Sequence, residues 1–134
     1  MIRKLLVLLV LEFLVGVNAG LTFRLVESRY YAALWTGSCF LFLGIGLLYW
    51  TYKNLNWRRT PLFWVAFVHT FVFSIPILLT RILSLSDEPL TTVMGIEAPL
   101  MHKAASYCFT LLLAATIFEI INQFLIMRAK KPRH

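Results

Sequence analysis

Glu12, His69 and Glu119 are ionisable residues set inside long apolar runs of this 134-residue sequence. Such groups are costly in an apolar layer, so each marks a candidate site by default. Counted from Leu5, Pro61 and Met127, the run ends nearest the basic clusters, they lie at depths of about 10, 12 and 12 Å for helices rising about 1.5 Å per residue. Three separate runs thus place an ionisable group at one common level. Asn122 and Gln123 lie within one turn of Glu119 and extend the set. The spacing predicts an intramembrane polar cluster of Glu12, His69, Glu119 and Asn122 facing one interior space.

Two carboxyls and an imidazole in low dielectric could share protons, hold a counter-ion or relay charge. A purely structural role, in which the same groups hydrogen-bond one another and fix helix register, explains their types equally well. A metal centre is the weaker reading: the ligand set stops at three and has no short-range ligand motif. His102 falls in a long connection and His134 at the end of the chain, so His69 alone offers a haem ligand within a run, and a bis-histidine haem would need a second chain. Cys39 and Cys108 sit at different depths and read as small apolar residues rather than a disulfide. No Ser–His–Asp set, phosphate loop or nucleophile elbow occurs. No catalytic residue, metal or cofactor is therefore assigned, and the chain leans away from an enzyme.

The elements that must position these groups follow from composition. The chain is 60% hydrophobic and 14% charged, with a mean hydropathy of +0.77. A soluble domain carries about 25% charged residues. Four apolar runs, at about 5–23, 30–52, 60–80 and 104–127, are each long enough to cross a hydrocarbon layer of about 30 Å as helices. The expected fold is a single all-α domain, an integral membrane four-helix bundle, with one long connection over 82–103. Within that connection, Ser86 to Pro89 reads as a turn and helix start, and Thr91 to His102 as a short interfacial helix or an irregular loop.

Small residues supply the packing faces. Gly16 and Gly20 form a small-xxx-small motif on the face that carries Glu12, and the second helix contributes the small residues Ala33, Gly37 and Gly44. On the third helix an α-helical stripe joins Ala66, His69, Phe73 and Pro76.

Basic residues give the orientation. With the N-terminus inside, the inner segments hold nine (Arg3, Lys4, Lys53, Arg58, Arg59, Arg128, Lys130, Lys131, Arg133) and the outer ones four (Arg24, Arg29, Arg81, Lys103). This positive-inside bias predicts cytoplasmic N- and C-termini, most simply in a bacterial inner membrane. The bilayer is the expected partner of these charges, together with a second copy or a partner membrane subunit; nucleic acid is not. Val17-Asn18-Ala19 before Gly20 also fits a signal-peptide cleavage site, but Glu12 interrupts the apolar core that such a signal needs, so an uncleaved first helix is expected.

Four short spans with Glu12 in the first resemble the small multidrug-resistance transporters. That resemblance implies proton exchange for a cationic substrate across a dimer. Trp35-Thr36-Gly37 is similar to the family's Trp-x-Gly turn but lies on the second helix rather than the third, and His69, Glu119 and the long third connection depart from the pattern. The expected function is a proton- or cation-linked binding or transport unit built on the Glu/His/Glu cluster. The alternative is a non-catalytic accessory or assembly subunit of a membrane complex, and a third reading is a haem- or quinone-associated redox subunit.

Overall fold

The computed structural model describes residues 2–84 and 90–130. Four helices are long and apolar enough to cross a membrane: α1 (Ile2–Leu25), α2 (Arg29–Asn54), α3 (Pro61–Ser84) and α4 (Ala98–Lys130). Each overruns its expected apolar run by a few residues, because flanking polar residues continue the helical backbone hydrogen bonding. Ser28 caps α2 by accepting the Tyr31 N–H at 3.3 Å, and Pro61 opens α3 at a position where its missing N–H costs nothing. A 3-10 turn, Trp57–Arg59, links α2 to α3.

The helices form a ring in which α1 packs on α2 and α4, and α3 also packs on α2 and α4. Leu5, Leu47, Leu62 and Leu112 are fully buried in the half that holds the chain termini. At the opposite end Val93, Ala98 and Met101 bury against Phe73, Ile77 and Leu90. The outward faces carry large exposed apolar side chains, among them Val7, Leu14, Phe42 and Leu111. A helical bundle whose outward faces are this apolar suits a lipid surround. At the terminal end Tyr52, Trp57, Phe63 and Trp64 form a run of ring contacts, with Arg58 stacked 5.2 Å from the Trp57 ring centroid.

The connection before α4 departs from both expectations for Thr91 to His102. A small antiparallel hairpin pairs β1 (Thr92–Val93) with β2 (Ile96–Glu97). Its two-residue turn, Met94-Gly95, has φ of 52° and 82°, the double positive φ that a tight hairpin turn of this type requires. The helix then begins at Ala98 with Pro99 in its first turn, so His102 belongs to α4 and not to a loop. Ser86 to Pro89, read as a turn, lie outside the described residues.

The third helix holds a second departure. Residues His69–Ser74 are wound as a π-helix between α-helical segments. Pro76 supplies a physical cause, since it has no N–H and its ring crowds the carbonyl four residues back, at Val72. The widened turn breaks the expected stripe: Thr70 and Ser74 are buried beside Ala66 and His69, while Phe73 is half-buried.

Two glycines place helices close together. A Cβ on Gly44 would collide with Thr70 Oγ1, and one on Gly37 would lie 2.8 Å from Leu78 Cδ1. Gly16 and Gly20 differ from each other: a Cβ on Gly16 would meet the Phe109 ring at 3.2 Å, whereas one on Gly20 would meet nothing within 4 Å. Within this chain Gly16 alone of the pair faces a neighbouring helix. Gly16→Leu should therefore destabilise the detergent-solubilised protein by about 1–3 kcal/mol. Gly20→Leu should leave the thermal melt within about 0.5 kcal/mol of wild type.

Candidate functional site

The three sequence-selected ionisable residues are all buried: Glu12 is 0% exposed, His69 3% and Glu119 4%. Their hydrogen bonds run to separate partners. Thr116, on α4, donates its hydroxyl to Glu12 Oε1 at 2.7 Å, tying α1 to α4. Among the described residues, Glu12 Oε2 meets no hydrogen-bond partner. One turn along α4, Glu119 Oε1 accepts the Gln123 side-chain N–H at 2.9 Å. Thr116 and Glu119 are three residues apart and share the buried face of α4, so the two carboxyls occupy neighbouring levels of the bundle.

His69 has a different hydrogen-bond partner, on its own helix. Its Nδ1 lies 3.4 Å from Ser74 Oγ. Five residues separate the two, a spacing that a π turn closes and an α turn does not. The imidazole packs against the rings of Phe40, at a centroid distance of 5.6 Å, and Phe109, at 6.0 Å, which themselves meet edge to face at 5.3 Å. Phe109 also packs under Gly16, one turn from Glu12.

Asn122 is exposed and does not join the buried set. On α4 the buried positions Cys108, Leu112, Ala115, Thr116 and Glu119 define a face centred near Glu119. At 100° per residue Asn122 falls about 60° to one side of that centre and Gln123 about 40° to the other. Among the described residues, no group of three or more His, Cys, Asp and Glu side chains could hold a metal ion. Both cysteines are free, and Cys39 accepts a weak hydrogen bond from Asn18 Nδ2 at 3.6 Å. Asn18 Oδ1 in turn accepts the Trp35 indole N–H at 3.2 Å, a second polar tie between α1 and α2.

His69 lines the largest cavity described, about 480 Å³ between the four helices. Its walls are mainly apolar and aromatic, and His102, Thr36 and Ser74 also reach it. A second cavity of about 390 Å³ shares Ala33, Gly37 and His102 with the first and extends toward Arg29 and Arg81. Glu12 and Glu119 line neither.

Sequence reasoning missed Thr116, Ser74 and Thr36, and it placed His102 in a loop rather than on α4. Thr116 carried a signal, since it lies three residues before Glu119 on the same face. Ser74 carried none while α3 was read as a uniform α-helix. Comparison of the chain with protein-family profiles, curated proteins and solved structures finds no match.

Proposed function

We propose that this chain is a proton- or cation-linked binding and transport unit of a bacterial cytoplasmic membrane, with both termini inside and Glu12 as the titrating group. The nine-to-four distribution of basic residues supports the orientation. The observation that carries the activity is the hydrogen-bond count at Thr116. Its hydroxyl lies 2.7 Å from Glu12 Oε1 and 3.0 Å from the Leu112 carbonyl oxygen. One hydroxyl hydrogen cannot fully satisfy two acceptors. A proton on the Glu12 carboxyl satisfies both contacts: the carboxyl donates to Thr116, and Thr116 donates to Leu112. When that proton leaves, Thr116 turns to Glu12, and Oε2 still calls for a proton or a cation. Glu12 can thus exchange a proton by the rotation of one hydroxyl, without moving a helix.

The test is infrared difference spectroscopy between acidic and alkaline buffer on protein in lipid. A protonated-carboxyl band should titrate in the wild type and vanish in Glu12→Gln, with the helical signal unchanged. A band that persists in Glu12→Gln, or a wild type without a titrating band, would end this reading.

Asn122 favours a second reading, that of an assembly subunit. It presents an exposed amide at the edge of the buried face of α4, about 7 Å from Met127 at about 1.5 Å per residue. An exposed amide at that depth is a hydrogen-bonding group for a further helix, from a second copy or a partner subunit.

A further inference from the structure

The His69–His102 cavity has the chemistry of a binding site that the Glu12 reading leaves unused. Phe23, Phe40, Phe73 and Phe109 wall it, and the imidazoles are the ionisable groups on its lining. A ligand that fills it is uncharged, apolar and aromatic, since flat rings pack best on such walls.

The two imidazoles reach the cavity from different helices, His69 from α3 and His102 from α4. His69 packs against Phe109, and His102 precedes Phe109 by seven residues on α4, about 10 Å along the helix axis. A six-membered ring with a hydroxyl on opposite sides and a hydrogen bond of about 2.8 Å from each is of comparable length to that rise. The donor and acceptor roles narrow the ligand further. His102 Nδ1 donates to the Ala98 carbonyl oxygen at 2.7 Å, so its neutral ring offers Nε2 as an acceptor and asks the ligand for an O–H. Thr36 is 93% buried and belongs to the lining of the same cavity, and its Oγ1 has no hydrogen-bond partner among the described residues. Its hydroxyl asks for an acceptor. On α3, Ser74 engages His69 Nδ1, which leaves Nε2 to meet the ligand. A quinone has acceptors only; a hydroquinone both donates and accepts.

We infer that the cavity between His69 and His102 binds a lipophilic para-hydroquinone, its ring among the phenylalanines and its two hydroxyls at the two imidazoles. This site does not depend on proton exchange at Glu12. The probes are tetramethylhydroquinone, kept reduced under anaerobic conditions, its oxidised quinone and its dimethyl ether. Each is titrated calorimetrically into protein in lipid nanodiscs and corrected against empty nanodiscs. The hydroquinone should bind at least tenfold tighter than the ether, which has the same ring and no donors, and tighter than the quinone. His102→Phe should remove most of that preference, His102→Gln should keep part of it through its side-chain oxygen, and Thr36→Val should weaken binding about threefold. Equal affinity for the three probes in the wild type would overturn the proposal without recourse to any variant. So would purified protein carrying a haem absorption band that His102→Phe removes, because the cavity would then belong to a porphyrin.

Discussion

Gly44→Ala should destabilise the bundle by about 2–3 kcal/mol, a large effect for one added methyl group. The methyl carbon would collide with Thr70 Oγ1 and lie 3.2 Å from Thr70 Cβ. Thr70 cannot yield: it is fully buried, and its branched β-carbon allows few rotamers on a helix. Relief must come from separating α2 and α3, which would loosen the contacts of Leu43 and Leu47 with Leu62 and Ala66 in the same core cluster. Gly46 is the internal control. It lies two residues further along α2, where a Cβ would meet nothing within 4 Å. Thermal unfolding in detergent, followed by circular dichroism, should show a clear drop for Gly44→Ala and little change for Gly46→Ala. Similar curves for the two variants would contradict the close approach of α2 and α3.

Thr116→Val should cost about 2–3 kcal/mol although it preserves side-chain volume. The hydroxyl is the one hydrogen-bond partner of Glu12 among the described residues, and its loss strands both oxygens of a fully buried carboxyl. Hydrogen bonds between membrane helices average only about 0.6 kcal/mol. The larger figure expected here is the penalty of an unmet buried group rather than the worth of the bond. That distinction gives the test its form, a double-mutant cycle with Glu12→Leu. Removing both partners should restore most of the stability lost by Thr116→Val, because an apolar pair leaves nothing unmatched. Thr116→Ser should retain the bond and melt near wild type. Strictly additive losses in the cycle would show that the two side chains do not depend on one another.

The sequence revealed the four helices because each is an apolar run long enough to be self-sufficient in backbone hydrogen bonds, a property that local composition carries in full. It also marked Glu12, His69 and Glu119 as inward, and all three are buried. Their hydrogen-bond partners were not legible. Depth along a helix follows from counting residues, but azimuth follows from winding, and the α-helical count fails in α3 where Pro76 forces a wider turn. The hairpin at Thr92–Glu97 was obscured for another reason: Met94 carries a positive φ that glycine or asparagine would have announced. Partners such as Thr116 and Thr36 escape notice because threonine is common on buried and lipid-facing positions alike, and only the neighbouring helix shows which hydroxyl matters.

The π turn at His69–Ser74 also bears on how kinship to this chain would be recognised. It holds one more residue than an α turn of the same rise, so α3 consists of two α-helical segments out of phase by about 100°. A relative that had lost a single residue there would keep the same span, the same apolar profile and nearly the same length. It would nonetheless present a different side chain to His69 and turn every residue beyond Ser74 by more than a quarter of a circle. In an alignment that difference would appear only as a one-residue gap in the middle of a span, where gaps are usually treated as errors. Such a gap should instead be taken as the boundary between chains that keep the His69–Ser74 pair and chains that have given it up.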